Sequence, residues 1–293
     1  MPNVPANGIS LECEEFGGHD STPLLLIMGL GAQMVMWEDK FCGQLASRGF
    51  RVIRFDNREV GLSTKFHDKC PNPAPLFVDL LQGKTIVPPY TLDDMADDAA
   101  GLLQALGVSE AHVVGASMGG MIAQLLAVHH PNRVLTLTSI MSTTGNPDLP
   151  QGNPDVLTLL AQPMPTERKA AIEHAMTMSR ALAGPGFEFD EARTRRLAEL
   201  SYDRDPDPAG IVRQLLAIMT AASRKDALRS VATPTLVVHG DADPLVPIAG
   251  GFDTAEAIPG AKMLVIEGMG HELPEAAWPQ VIDAIVELAR QGD

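Results

Sequence analysis

The chain predicts an α/β architecture: a mainly parallel, twisted sheet flanked by helices, with a helical segment inserted into it. Three observations carry that expectation. Short apolar runs alternate with helix-like stretches along most of the 293 residues, the pattern of a parallel sheet covered on both faces. One run, Val113-Val114, passes through Gly115-Ala116-Ser117-Met118-Gly119 straight into an apolar helical stretch. Between residues 146 and 230 the alternation stops and only helix-like runs remain. The expected organisation is a core of residues 1–145 and 231–293 and a helical cap of residues 146–230.

In chain order, an opening strand is expected at 9–16, followed by strands at 24–28, 51–56, 111–115, 133–140, 234–239 and 262–267. Each is a short apolar run, as a strand buried on both faces requires. A helix at 91–106 places Met95, Ala99, Leu102, Leu103 and Leu106 on one stripe, and its aspartates crowd the amino end, where the helix dipole favours negative charge. A second helix at 118–130 carries Met121, Ile122, Leu125, Leu126 and Val128 and is closed by Pro131, which cannot continue it. In the insertion, helices are expected at 167–183, 191–202 and 210–222, punctuated by Pro163, Pro165, Gly184-Pro185-Gly186 and Pro206. A cap of this kind would exclude water from what lies beneath it; the plainer reading is a subdomain with a packing role.

A G-x-S-x-G turn between strand and helix holds its serine in a tight bend with the hydroxyl clear of the sheet. The first amides of the helix then face whatever that oxygen attacks. Ser117 is therefore the expected nucleophile, against the plainer reading of a tight crossover with a surface serine. A serine hydroxyl needs a base, and the base needs a group that orients it. Of the 8 histidines, His271 ends the glycine-rich Gly268-Met269-Gly270 after an apolar strand, where an imidazole can project over the sheet edge. His239 lies inside a strand and reads as a hydrogen-bonded core residue. His112 opens a strand, His129 and His130 close a helix, and His19, His67 and His174 fall in a turn, a loop and a surface helix.

The orienting carboxylate is expected from Asp243, which Pro244 pushes out of the helical region so that it can point back at the imidazole. Asp241 reads as a turn residue, and Glu267 is a more distant option. The developing oxyanion needs two donors. The amide of Met118 is one; the amide of Leu30, in the loop Gly29-Leu30-Gly31 after the strand at 24–28, is the other.

With these residues in place the chain resembles the α/β-hydrolase superfamily over nearly its whole length. Phe55-Asp56-Asn57-Arg58-Glu59-Val60-Gly61-Leu62-Ser63 is similar to the family's Asp-x-Arg-Gly-x-Gly-x-Ser segment, with Glu59 where glycine is usual. His239-Gly240-Asp241-Ala242-Asp243-Pro244 is similar to its acid loop, and the order Ser, Asp, His matches. Many members carry His-Gly ahead of the first oxyanion donor; here Met28-Gly29 stands there, which leaves the donor amide intact and puts the bracing of that loop in question. The Met-Gly variant resembles the subgroup containing bacterial anthracycline (aclacinomycin) methyl esterases. The resemblance implies an α/β-hydrolase fold and a serine hydrolase that cleaves a small-molecule carboxylic ester through an acyl-enzyme, with no metal and no organic cofactor. Lactonase, carbon–carbon hydrolase and cofactor-free haloperoxidase chemistry run on the same triad, and fold does not choose among them.

Composition narrows the classes. A net charge of −15 argues against nucleic acid, whose phosphates demand concentrated Lys and Arg. No run approaches the roughly 20 apolar residues of a membrane span, and Met1-Pro2-Asn3-Val4 lacks the regions of a signal peptide. Cys13, Cys42 and Cys70 show neither metal spacing nor an even disulfide framework, so a reducing cytoplasm is expected. With 14 methionines against 4% aromatics, an adaptable apolar pocket is expected, drawing on Met34, Met36, Met118, Met121, Met164, Met176, Met178 and Met219, although core filling accounts for any single one. Trp37, Met34 and Gly29 are the expected substrate contacts. A dinucleotide reading of Gly29-Leu30-Gly31 with Asp56 lacks the third glycine, where Met34 stands, and leaves the serine turn unexplained. A non-catalytic binding protein on the same fold is the remaining alternative. The composition sets no oligomeric state.

Overall fold

The strands are β1 (Asn3–Ala6), β2 (Ile9–Phe16), β3 (Thr22–Ile27), β4 (Phe50–Phe55), β5 (Ala111–Ala116), β6 (Val134–Ile140), β7 (Thr235–Gly240) and β8 (Lys262–Ile266). They form one sheet in the order β1-β2-β4-β3-β5-β6-β7-β8. β2 runs antiparallel to β1 and β4; every later pairing is parallel. The helices are α1 (Asp39–Ser47), α2 (Ala74–Leu81), α3 (Leu92–Ala105), α4 (Met118–His129), α5 (Pro154–Leu160), α6 (Arg168–Leu182), α7 (Glu191–Arg204), α8 (Pro208–Met219), α9 (Lys225–Leu228), α10 (Ala249–Ala257) and α11 (Trp278–Ala289). This computed structural model describes residues 3–291 apart from 69, 71, 73 and 206. Met1, Pro2 and the expected breaker Pro206 lie outside the described residues.

The central strands are apolar at consecutive positions because both faces of the sheet are covered. Leu25, Ile27 and Val113 enter the core beneath α3 and α4, whereas Leu24, Leu26, Val114 and Ala116 enter the core beneath α1 and α11. Helix α3 starts at a reciprocal capping box, with Thr91 and Asp94 each accepting from the other's backbone amide. The strand β1 is a correction to the expected order. Its four residues are too few for a periodic signal, yet Asn7-Gly8, with φ of 46° and 74°, is the turn that folds it onto β2. Helices α2 and α5 are likewise additions; α5 begins at Pro154, with the Asn153 side chain capping Asp155 N.

Two features position a site. β3 lies between β4 and β5, so the chain leaves it in opposite directions and opens a crevice at the carboxyl ends of the strands. Helices α5 to α8 all fall between β6 and β7, while α9 packs against α4 and α10. Among the described residues no helix is long and apolar enough to cross a membrane.

Candidate active site

Ser117 joins β5 to α4 with φ 56° and ψ −120°, left-handed backbone that a non-glycine residue adopts at a cost of about 1–3 kcal/mol. Its surroundings impose that bend. A Cβ on Gly115 would collide with the Gly119 carbonyl, and one on Gly119 would collide with the Ile27 carbonyl. The strained residue is tied down on both sides: its amide donates to Ile140 O at 2.9 Å, and Ser142 Oγ donates to its carbonyl at 2.8 Å.

The structure brings the three expected side chains together. His271 Nε2 lies 3.0 Å from Ser117 Oγ, and His271 Nδ1 lies 2.7 Å from Asp243 Oδ2. The imidazole is placed by backbone contacts: the His271 amide donates to Leu182 O at 2.8 Å, and Gly186 N donates to Gly268 O at 2.9 Å. Cβ atoms on Gly184 or Gly270 would collide with the opposing chain. Gly184-Pro185-Gly186, read from the sequence only as punctuation, is thus the surface against which the histidine loop packs.

Asp243 is held as an acceptor from four directions. Oδ1 takes the amides of Leu245 at 2.9 Å and Val246 at 2.8 Å; Oδ2 faces His271 and, at 3.4 Å, His239 Nε2. Burial alone would raise its pKa, but the bonds from His239 and His271, the His271 charge and the Val246 amide outweigh it and bring it down to about 2. Asp241 instead accepts the Gly268 amide at 2.6 Å, linking the acid and histidine loops. His239 is buried as expected, with Nε2 2.8 Å from Val246 O, beside the acid as well as in the core.

A Cβ on Gly29 would approach Ser117 Cβ to 3.0 Å, so this loop lies against the serine. The Gly29 carbonyl accepts from Ala32 N at 3.2 Å. Because a trans peptide points its C=O and N–H oppositely, the Leu30 N–H is turned away from that bond. Met118 N belongs to the first turn of α4, whose amides have no intrahelical acceptor. The family-like segment after β4 braces the same loop. Asn57 Nδ2 donates to Met28 O at 2.9 Å, and the buried Asp56 carboxylate accepts Met34 N at 2.7 Å and Arg204 Nη2 at 2.9 Å.

A cavity of about 30 Å³ is lined by Met28, Met36, Trp37, Phe41, Ala116, Met141, Arg193, Leu273 and Trp278, and by none of Ser117, Asp243 and His271. Both tryptophans of the chain are here; Trp37 stacks on Phe41, and Trp278 meets the edge of Phe41, each at 5.4 Å between centroids. Arg193 reaches in from α7, pairing with Glu38 at 2.5 Å over the Trp278 ring. Trp37 and Met34 are both buried; Trp37 lines this cavity together with Met28, Met36 and Met141, whereas Met118 and Met121 pack into the core beneath α3 and α4 on the other face of the sheet. A wider cleft of about 380 Å³ between α6 and α7 is walled by the ion pairs Arg195–Glu173 and Arg180–Glu191 and contains none of the three converging residues.

The family profile described as alpha/beta hydrolase fold matches residues 22–275. The chain is 32% identical to rhodomycin D methylesterase DauP of Streptomyces sp. strain C5, covering 98% of this chain and 97% of the relative. It is 32% identical to rhodomycin D methylesterase DnrP of Streptomyces peucetius, over 96% and 95%. Among solved structures, the enol-lactonase from Burkholderia xenovorans LB400 superposes with a TM-score of 0.75 at 21% identity, over 99% of this chain and 100% of that one. Strand order, serine turn and whole-length similarity agree, and the chain belongs to the α/β-hydrolase fold family.

Proposed function

We infer that this protein is a serine hydrolase that cleaves a carboxylic ester by two acyl transfers. The observation that carries the reading is the unbroken path from Ser117 Oγ through His271 to Asp243, starting at a backbone bend the flanking glycines impose. Ser117 attacks the ester carbonyl as His271 Nε2 takes its proton, while Asp243 holds Nδ1–H and stabilises the imidazolium. The amides of Leu30 and Met118 receive the tetrahedral oxyanion. His271 then returns the proton to the departing alcohol and activates the water that releases the acid. Protein groups and water suffice for every step.

Helices α5 to α8 form the insertion between β6 and β7, and Leu182 O at the end of α6 accepts the His271 amide at 2.8 Å, which supports a cap over the site. Met28, Met36, Met141, Trp37, Phe41 and Trp278 cluster with Ala116, the residue before the serine, and this apolar neighbourhood supports an apolar substrate. The two methylesterase relatives make methyl esters the first class to test. A panel of methyl and p-nitrophenyl esters of graded size should give the highest kcat/KM for apolar ring-bearing members. Activity confined to charged, hydrophilic esters would contradict the pocket reading. Lactone and peracid-dependent halogenation assays on the same preparation separate the other chemistries this triad supports.

The pH dependence follows from Asp243. Its folded-state pKa of about 2 lies below the ordinary aspartate value, so its contribution to stability is present above about pH 4 and is lost as pH falls towards 2. The carboxylate therefore stays ionised well below pH 4 and keeps its bond to His271 Nδ1, and acid unfolding followed by circular dichroism should show Asp243→Asn less stable than wild type at pH 7, with the difference shrinking towards pH 2.

A further inference from the structure

The loop that carries the Leu30 amide begins at Met28-Gly29 and is held at its two ends by Asn57 and Asp56. Gly29-Leu30-Gly31-Ala32 is a four-residue turn closed by Ala32 N to Gly29 O, with φ 67° at Gly31. A positive φ at the third position marks a type II turn, which differs from type I by a flip of the central peptide between residues 30 and 31. The N–H of that central peptide, Gly31 N, donates to Gln214 Oε1 at 2.8 Å.

Gln214 comes from α8, in the helical insertion, and is fully buried. Its other end is also committed: Nε2 donates to Arg58 O at 2.8 Å, so the amide cannot rotate without losing both bonds. Its neighbours on the same helix press the same region. Ile211 would touch a Cβ on Gly31 at 3.0 Å, and Arg213 pairs with Glu59 at 2.8 Å.

The geometry points to Gln214 as a positioning residue that locks the central peptide of the Gly29–Ala32 turn and so presets the Leu30 amide for the oxyanion. The inference rests on the ester-hydrolase reading above. An insertion helix then does more than cover the site. It completes the loop that carries the Leu30 amide, adding Gln214 to the Asn57 and Asp56 side chains that hold its two ends. A donor fixed in advance costs no reorganisation when charge develops, and misplacement by about 1 Å costs up to roughly 100-fold in rate.

The test compares Gln214→Leu, which removes the acceptor, with Gln214→Glu, which keeps an acceptor for Gly31 N but loses the donor to Arg58 O and buries a carboxyl group. Gln214→Leu should lower kcat by roughly 10- to 100-fold with KM changed less than about 3-fold. Its affinity for a trifluoromethyl ketone, which forms a tetrahedral oxyanion on Ser117, should fall by the same factor as kcat/KM. Gln214→Glu should lose stability yet keep kcat within about 5-fold of wild type. A folded Gln214→Leu with wild-type kcat, or equal kcat losses in both variants, would overturn the inference. Should the leucine variant not fold, the glutamate variant decides, and a loss beyond about 10-fold in kcat rejects the assignment. Failure of the underlying reading looks different: wild-type protein would cleave no ester and resist fluorophosphonate labelling.

Discussion

Ser117→Ala is expected to lower kcat for the best ester by roughly 10⁵- to 10⁶-fold and to abolish fluorophosphonate labelling, with the fold intact. No neighbouring group can substitute, because the bend that projects this oxygen exists at one residue and the Gly115 and Gly119 contacts forbid its migration. Asp243→Asn should cost about 10⁴-fold, since an amide in place of the carboxylate favours the wrong imidazole tautomer. Here the observed geometry makes the prediction severe. Oδ1 is already saturated by the Leu245 and Val246 amides, so an asparagine that keeps its oxygen there presents its NH2 to His271 Nδ1. The two changes should not be additive, because they disable one unit. Steady-state rates with labelling controls check all of this, and more than about 1% residual activity in Ser117→Ala would remove the serine from the mechanism.

Arg213→Met is expected to be the most destabilising of the substitutions considered, by about 3–5 kcal/mol. Arg213 and Glu59 are both 0% exposed and meet bidentately, Nε to Oε1 and Nη2 to Oε2 at 2.8 Å each. Deleting the arginine leaves a carboxylate in the interior with no compensating charge. Glu59 also holds φ 79°, a conformation glycine adopts without strain, which explains why the corresponding family position usually carries glycine. Glu59→Gly therefore relieves backbone strain but leaves Arg213 facing Asp207 at 3.5 Å and Cys70 O in place of its bidentate partner, and the double variant Glu59→Gly/Arg213→Met should recover most of the loss. Denaturant unfolding of the four proteins forms a double-mutant cycle. A loss below about 1 kcal/mol for Arg213→Met would mean that the pair is screened or replaceable.

Much of the fold was legible because its signals are local. Apolar runs marked seven strands, and the aspartates crowding its amino end marked the start of α3. The hairpin that adds β1 was also written locally, in Asn7-Gly8, but four residues of strand fell below any periodic signal. The apolar cluster around Trp37 was less legible, because the grouping of Met28, Met36 and Met141 with Trp37 depends on which face of the sheet each residue meets.

The contrast is sharpest in two pairs with the same separation of 154 residues, Ser117–His271 and Glu59–Arg213. The first could be anticipated because each partner sits at a strand end marked by glycines that force the backbone into a recognisable bend. The second could not, because Arg213 and Gln214 lie mid-helix, where the sequence of a buried bridging residue looks like that of a solvated one. Local backbone chemistry in the sequence determined the strands, the serine bend and the loops that carry the histidine and the acid. The docking of α8 onto two distant loops, and with it the bracing of the Gly29–Ala32 turn and the burial of an ion pair, was decided only by tertiary packing, because those bonds depend on where helices come to rest and leave no periodic trace in the chain.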